Sequence, residues 1–280
     1  MTTVHLPETL DEAVSLLTDL EDTMIYGGGT AIQILVKQGL LFTEHFIDIS
    51  RIPGLHDIDV SDGGVTVGPM VSLRQMETDT RIGSIVPLAC QTYAKVANPR
   101  VRNTASVAGN IAHGDYRLDP PAALVVLDAT VMLTSVRGTR EVSVREFFVD
   151  FQVTEVQSDE MITGVRIPKQ PAGSAGAFVK YSSLAENDWP CASAAALAVP
   201  GDLVELRLGL GALAPTTRYL SLDIDSGMTA QQVVDAAIDI ANTAIDPIED
   251  IRGGVAYKAR LGRVAVEESV RAVMKELQHA

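Results

Sequence analysis

Apolar residues recur at helical spacing in several parts of the chain. Thr9 and Glu12 match a capping box, and the apolar residues that follow them predict a helix near the start. Thr229 with Gln232 begins another helix in the same way, and apolar residues from 257 to 277 lie on one side of a last helix. Shorter helices are predicted over 31–38, with Thr30 as the cap, and over 73–77 and 88–97.

Short apolar or alternating runs between these helices predict β-strands. In the first part of the chain these runs are 24–26, 46–49, 65–67, 129–135, 141–144 and 161–167. The runs 129–135 and 141–144 are predicted to form a β-hairpin with Gly138 in the turn. In the last part they are 178–181, 192–199 and 203–213. Between the two parts, residues 168–177 (PKQPAGSAGA) are rich in proline, glycine and small side chains, which indicates a domain boundary. The last part is therefore predicted to be an α+β unit, with helices in one layer on a three-stranded sheet.

Three consecutive glycines, Gly27, Gly28 and Gly29, separate a predicted strand from the helix predicted over 31–38. Glycine loses more conformational entropy on folding than any other residue, and a tight turn requires only one. Two interpretations are open: main-chain amides approach a ligand, most often a phosphate, or the glycines form an ordinary surface turn. The segment is not a Walker loop because no Gly-Lys-Ser/Thr follows, and Ile32 stands where a Rossmann loop has its third glycine.

A second segment with many small residues, ANPRVRNTASVAGNIAHGDYRLDPPA, covers 97–122. Its small side chains leave room for a planar or anionic group against the main chain. Ser106 and Asn110 offer polar groups that suit phosphate oxygens or a polyol, and Asp115 and Asp119 can accept hydrogen bonds from hydroxyl groups. Together the two segments predict a cleft that holds an extended dinucleotide.

Composition narrows the class of protein. The length of 280 residues favours two domains, and the formal charge of −14 argues against nucleic acid as a partner without excluding a nucleotide cofactor. Cys90 and Cys191 are the only cysteines, too few for a four-thiolate iron–sulfur cluster, and reduced thiols are favoured over a disulfide. No metal-ligand cluster, secretory signal or apolar run of ~20 residues is present, which predicts a cytoplasmic protein without a transmembrane segment.

Three stretches occur in an order that resembles the FAD-binding (medium) subunit of the molybdenum hydroxylases: YGGGTAI, ANPRVRN with its following GN, and GDYRLDPPAAL. This family includes the xanthine dehydrogenases, carbon monoxide dehydrogenase and bacterial N-heterocycle and nicotine hydroxylases. The resemblance continues through DEMITGVRIP, ENDWPCASAAALAV and RGGVAYKARLGRVAVEESV, and covers nearly the whole chain. An ordered set of matches is far more specific than any one of them.

The resemblance implies an FAD site but no catalytic residue and no metal site in this chain. The first loop of the family holds the pyrophosphate, and its matches here are Gly27, Gly28, Gly29, Thr30 and Ala31. The matches of the second loop are Ser106, Val107, Ala108, Gly109 and Asn110. The remaining matches are Asp115, Asp119, which faces the sugar-like chain of the flavin, Ile162, Lys180 and Asp188. Ala108 adds a methyl group where the family usually has a glycine.

The fold implied by the resemblance is α+β, with a two-part FAD-binding domain of the vanillyl-alcohol-oxidase-like (PCMH) type. Its parts would be residues 1–55 and 56–175, followed by a small C-terminal domain over 177–280. FAD would lie extended between the first two parts, with its isoalloxazine ring directed toward the C-terminal domain.

The resemblance also implies electron transfer between subunits. In the family, a large molybdenum subunit oxidises the substrate, a small subunit carries two [2Fe-2S] clusters, and FAD passes the electrons to an external acceptor. A dimer of heterotrimers is the implied assembly, and any contact with the inner face of the membrane would be made through the partners. Two alternatives remain open: a stand-alone FAD-dependent oxidoreductase with its own substrate site, and a scaffold that has lost FAD, for which Ala108 would be the sign.

Overall fold

The computed structural model describes residues 2–277 of the chain. Its strands are β1 (Thr3–His5), β2 (Thr23–Tyr26), β3 (His45–Asp48), β4 (Ile58–Ser61), β5 (Gly64–Val67), β6 (Thr130–Ser135), β7 (Gly138–Ser143), β8 (Phe148–Asp150), β9 (Val153–Thr154), β10 (Met161–Pro168), β11 (Ala175–Tyr181), β12 (Ala192–Val199), β13 (Val204–Gly211) and β14 (Arg218–Ile224). Its helices are α1 (Leu10–Asp19), α2 (Ile32–Lys37), α3 (Leu73–Thr78), α4 (Thr80–Ile85), α5 (Pro87–Tyr93), α6 (Pro99–Thr104), α7 (Val107–Ala112), α8 (Pro120–Val126), α9 (Val144–Phe147), α10 (Ala230–Asn242) and α11 (Val255–Leu277).

The first sheet is three-stranded and parallel, in the order β1-β3-β2. Helix α1 covers one face, where Ala13 and Val14 pack in one apolar cluster with Ile47. The predicted capping box is confirmed, because the Thr9 hydroxyl accepts from the Glu12 amide at 3.2 Å and the Glu12 carboxylate accepts from the Thr9 amide at 3.3 Å. The sheet ends at β2, so the glycine segment leaves from its edge.

The second sheet is antiparallel, in the order β4-β5-β10-β6-β7. The predicted hairpin is confirmed as β6 and β7, with Gly138 in the turn at φ +114°. Residues from α3, α5, α7 and α8 form the largest apolar cluster against this sheet, with Leu73, Leu88 and Ile111 fully buried. The second predicted ligand segment is therefore fixed on a packed layer of helices.

The third sheet is an antiparallel meander, in the order β11-β12-β13-β14. The prediction of three strands is wrong, because β14 adds a fourth. From Leu220 onward its residues alternate between half-buried positions such as Leu220 and exposed ones such as Ser221, as expected for an edge strand covered on one face.

The meander is buried on both faces. Ala194 of β12 packs with α10 and α11, whereas the next residue, Ala195, belongs to the cluster on the side of α8. The approach to α8 is so close that a Cβ atom on Gly209 would overlap the carbonyl oxygen of Ala122. Burial on both faces explains why β12 is a continuous apolar run.

The two closing helices are confirmed, as is the Thr229–Gln232 capping box of α10. Val270 and Val273 of α11 are fully buried as predicted, but the first residue of the predicted face, Tyr257, is 49% exposed, and Lys258 beside it is fully buried. Across residues 2–277, no helix combines the length and the apolar character that a bilayer crossing requires.

Candidate functional site

The glycine segment lies directly against the second ligand segment. A Cβ atom on Gly27 would lie 3.1 Å from the Ser106 hydroxyl oxygen, and one on Gly28 would overlap the carbonyl oxygen of Thr104. Gly29 has φ +68°, and a side chain there would overlap the hydroxyl group of Tyr26. The structure therefore brings the two segments together, and contacts within the protein already favour glycine strongly at positions 28 and 29.

The main-chain amides of residues 27–31 are consecutive and free. None of them donates to a protein acceptor within residues 2–277, although every residue of the segment is partly shielded from water. Helix α2 starts with Ala31 as its cap and has no side-chain hydrogen bond there, so the prediction that Thr30 caps it is wrong. Consecutive main-chain amides that are free and partly buried are the usual main-chain arrangement for binding an anion.

The second segment contributes side chains rather than amides. The Val107 amide donates to the carbonyl of Val71 at 2.9 Å, and the Ala108 amide donates to the carbonyl of Pro69 at 3.2 Å. Ser106 is 3% exposed, and its hydroxyl oxygen accepts from the Gly109 amide at 3.2 Å.

The side-chain oxygen of Asn110 is also available to a ligand. It is buried and has no hydrogen-bond partner within residues 2–277. Because a buried, unsatisfied carbonyl is costly, this oxygen is suited to accept from a hydroxyl or N–H group of a ligand.

Asp119 and Lys180 form a buried ion pair between the second and third sheets. The Lys180 Nζ atom lies 2.7 Å from Asp119 Oδ2 and 3.0 Å from the carbonyl oxygen of Lys95. The other oxygen, Asp119 Oδ1, is buried and lacks a partner in the described chain. Burial raises the pKa of Asp119 to about 6, an effect that the attraction of Lys180 only partly offsets.

Asp115 and Asp188 are each occupied by an arginine. Arg117 donates to both oxygens of Asp115, at 2.8 and 2.6 Å. Arg252 does the same to Asp188, at 2.9 and 2.8 Å. Although burial opposes it, Arg117 lowers the pKa of Asp115, and the hydrogen bond from Arg252 lowers that of Asp188. Both carboxylates thus have structural partners.

A cluster that sequence reasoning missed joins these two pairs. The Tyr116 hydroxyl donates to Asp250 at 3.1 Å, and Arg117 approaches the same carboxylate at 3.6 Å. Lys258 donates to Asp250 at 2.8 Å and to the carbonyl of Ile248 at 2.8 Å. A usable signal was the repeated tripeptide Asp-x-Arg at 115–117 and 250–252, since in both the aspartate accepts from the arginine amide at 2.9 Å.

The remaining predicted residue, Ile162, belongs to the apolar core that also contains Val107 and Ala108 and offers no polar side-chain group to a ligand. It sits in β10 at 5% exposure, inside the apolar cluster under the second sheet. The site that the structure assembles thus consists of free amides at 27–31, the oxygens of Ser106 and Asn110, and the pair Asp119–Lys180. This donor set fits a ligand with a diphosphate, several hydroxyl groups and a polar ring edge.

The chain is similar to proteins of one known family. Residues 1–170 match the family described as the FAD binding domain in molybdopterin dehydrogenase. The chain is 28% identical to the 6-hydroxypseudooxynicotine dehydrogenase complex subunit alpha of Paenarthrobacter nicotinovorans, over 94% of this chain and 91% of that protein. It is 29% identical to the carbon monoxide dehydrogenase medium chain of Hydrogenophaga pseudoflava, over 96% and 95%.

The fold is also similar to a solved structure. A chain of the carbon monoxide dehydrogenase from Hydrogenophaga pseudoflava, in a form that lacks the Mo-pyranopterin moiety of the molybdenum cofactor, superposes with a TM-score of 0.89. The match covers 98% of both chains at 29% identity. The similarity therefore extends through the third sheet and its helices, beyond residue 170.

Proposed function

Because this chain belongs to the family of FAD-binding domains of molybdopterin dehydrogenases, we propose that it is the FAD-carrying electron-transfer subunit of a multi-subunit molybdenum hydroxylase. Its relatives are subunits of dehydrogenases of this type. The observation that carries the proposal is the row of free amides at 27–31, which lies against a segment with an unpartnered Asn110 oxygen.

Each part of the site has a task in this proposal. The amides of residues 27–31 hold the diphosphate, and Ser106 and Asn110 hydrogen-bond the polar groups beside it. The free oxygen of Asp119 accepts from the flavin half, while Lys180 keeps that carboxylate in place. We assign the supporting roles to Val107, Ala108 and Gly109, whose amides are satisfied within the protein, and to Ile162, which packs beneath them.

FAD, when bound, supplies the redox chemistry, namely the acceptance of electrons from [2Fe-2S] clusters and their transfer to an external acceptor. This chain has only two cysteines, so the clusters belong to a small iron–sulfur subunit and the molybdenum cofactor to a large one. We propose a dimer of such heterotrimers. The proposed layout is of the PCMH type, with parts at 1–55, 56–175 and 177–280, and the positions of the three sheets along the chain support it.

The charged groups around residues 115–119 favour electron transfer over a separate substrate reaction. Arg117, Arg252, Lys180 and Lys258 are each paired with a carboxylate. A stand-alone oxidoreductase would need acid, base or substrate-binding groups free to act above the flavin. Among these paired groups, the second oxygen of Asp119 lacks a partner in the described chain, and it is suited to contact the flavin itself.

The test is to purify the full chain, add FAD and record the visible spectrum. We expect a protein-bound flavin band, no turnover by the chain alone, and reduction of the flavin when reduced iron–sulfur and molybdenum subunits of the same complex are added. A chain that never retains FAD would contradict the proposal and favour a scaffold. Substrate turnover by the isolated chain would favour a stand-alone oxidoreductase.

A further inference from the structure

Three loops converge on residues 113–117, the segment that leads into Asp119. The Gln152 amide donates to the carbonyl of Gly114 at 3.1 Å, and the Phe151 ring lies 5.6 Å from that of Tyr116. The Trp189 ring lies 5.1 Å from the guanidinium carbon of Arg117. The loop after α10 reaches the same segment through the Tyr116–Asp250 hydrogen bond. Three separate parts of the chain are therefore fixed around one edge of the candidate site.

Each loop presents an apolar side chain to solvent. Phe151 is 44% exposed, Leu184 is 59% exposed and Ile251 is 82% exposed. We call these three residues the apolar rim. Such side chains are normal singly, but a group of them around a ligand site indicates an interaction surface.

The apolar rim is held rigidly, which distinguishes it from mobile loop tips. Ile251 lies between Asp250, which pairs with Lys258, and Arg252, which pairs with Asp188. The loop of Leu184 is tied to the same turn, because the Ser183 hydroxyl donates to the carbonyl of Arg252 at 2.9 Å. Pre-organised apolar anchors lose little entropy on binding, so this surface is suited to dock a partner.

The charges around the apolar rim indicate what kind of partner fits. Asp150, Glu186 and Glu249 are exposed carboxylates beside it, whereas Arg117 and Arg252 are neutralised by their own aspartates. The chain as a whole carries a charge of −14, so a second copy would bring like charges together. The complementary occupant is a different protein with an apolar centre and basic residues around it.

We propose that the apolar rim is the docking surface for the iron–sulfur subunit that delivers electrons to this chain. This inference rests on the proposed function, since it names the face through which that partner reaches the flavin. The surface borders the segment that carries Asp119, which is where a one-electron donor must approach.

The test uses the complex purified through the full-length chain, with its iron–sulfur subunit identified by the [2Fe-2S] electron paramagnetic resonance spectrum and then isolated. Flavin-loaded wild-type, I251Q and L184Q chains are titrated with that subunit by calorimetry. The control is F42Q, because Phe42 is also 82% exposed but lies in the segment after α2. Flavin content is measured for every variant.

We expect I251Q and L184Q to weaken binding by about tenfold or more, the scale of a buried apolar anchor. F42Q should bind within about twofold of wild type, and all variants should retain FAD. Higher ionic strength should weaken wild-type binding, and the pair of substitutions Glu186→Gln and Glu249→Gln should reduce that dependence.

Several results would overturn the inference. Wild-type affinity in both I251Q and L184Q, with the flavin still reduced by the clusters, would place the docking face elsewhere and leave the proposed function intact. A wild-type chain that dimerises by itself, with I251Q monomeric in sedimentation, would make a second copy the occupant. A wild-type chain without FAD, or a purified complex without an iron–sulfur subunit, would overturn the proposed function before any variant is compared.

Discussion

Lys180 and Asp119 form a 2.7 Å ion pair across sixty-one residues of sequence. The pair joins β11 of the third sheet to the residue that begins α8, and both side chains are at most 5% exposed. One carboxylate oxygen is bound to the lysine, and the other has no partner in the described chain. The protonation of Asp119 is therefore sensitive to whatever contacts the free oxygen.

The FAD-free protein should lose stability as pH rises from about 4 to about 6. Burial raises the pKa of Asp119 from its ordinary 3.8 to about 6, so the native carboxyl keeps a proton that the unfolded one releases. This group alone should lower the free energy of unfolding by about 3 kcal/mol over that range. Chemical denaturation of wild type and D119N across these pH values checks it, and parallel curves for the two proteins would contradict it.

G28A should disrupt the contact between the two ligand segments. The added methyl group would overlap the carbonyl oxygen of Thr104, so we expect a loss of about 1–3 kcal/mol in stability. We also expect little bound FAD, because the amides at 27–31 would be displaced. The control is G227A, where the added methyl group would meet open space. Thermal unfolding and the ratio of flavin to protein absorbance check both effects, and wild-type values for G28A would be inconsistent with the contact.

N110A should separate binding from stability. The buried oxygen of Asn110 has no protein partner, so its removal should not destabilise the FAD-free protein and should raise its unfolding free energy by up to about 1–3 kcal/mol, the cost of an unpaired buried acceptor. Loss of a hydrogen bond to the ligand should raise the dissociation constant for FAD about tenfold. Flavin fluorescence titration measures the second effect, with N187A at an exposed loop position as control. Unchanged affinity would remove Asn110 from the site.

K258M should loosen the third sheet from residues 115–117. Lys258 is fully buried, and it donates to Asp250, the carboxylate that also accepts from Tyr116. Removing one partner of a buried pair costs about 3 kcal/mol, because the remaining charge stays desolvated. The same substitution at Lys275, which is exposed on the same helix, is the control. Denaturant midpoints check the difference, and equal midpoints for K258M and K275M would count against the cluster.

The two thiols should react slowly while the protein is folded. Burial raises the pKa of Cys90 to about 11, and Cys191 is fully buried. Because the thiolate is the reactive form, alkylation near pH 8 should be at least about a hundredfold slower in native than in denatured protein. Mass spectrometry after timed iodoacetamide treatment measures the rate at each cysteine. Fast native labelling of Cys90 would show that its environment is more open.

Local patterns predicted much of the fold. The Thr9–Glu12 and Thr229–Gln232 capping boxes, the β6–β7 hairpin and the long closing helix are confirmed. Each depends on residues within a few positions of one another, so their signals survive in the sequence alone. The family resemblance, built on ordered short motifs, is confirmed by the comparisons. The edge strand β14 was not predicted, because its short alternating stretch gives a weaker signal than a continuous apolar run such as that of β12.

By itself, the sequence determined which residue types are available for binding: bare amides at 27–31, and the polar side chains of Ser106, Asn110 and Asp119. Only the tertiary structure decided which of them remain free. The amides of Val107 and Ala108 are bound to carbonyls from residues 71 and 69, whereas those of 27–31 have no acceptor in the described chain. Likewise Asp115 and Asp188 are neutralised by arginines, but Asp119 keeps one free oxygen. The reason is that a hydrogen bond depends on two groups meeting in space, and packing between distant segments determines which groups meet.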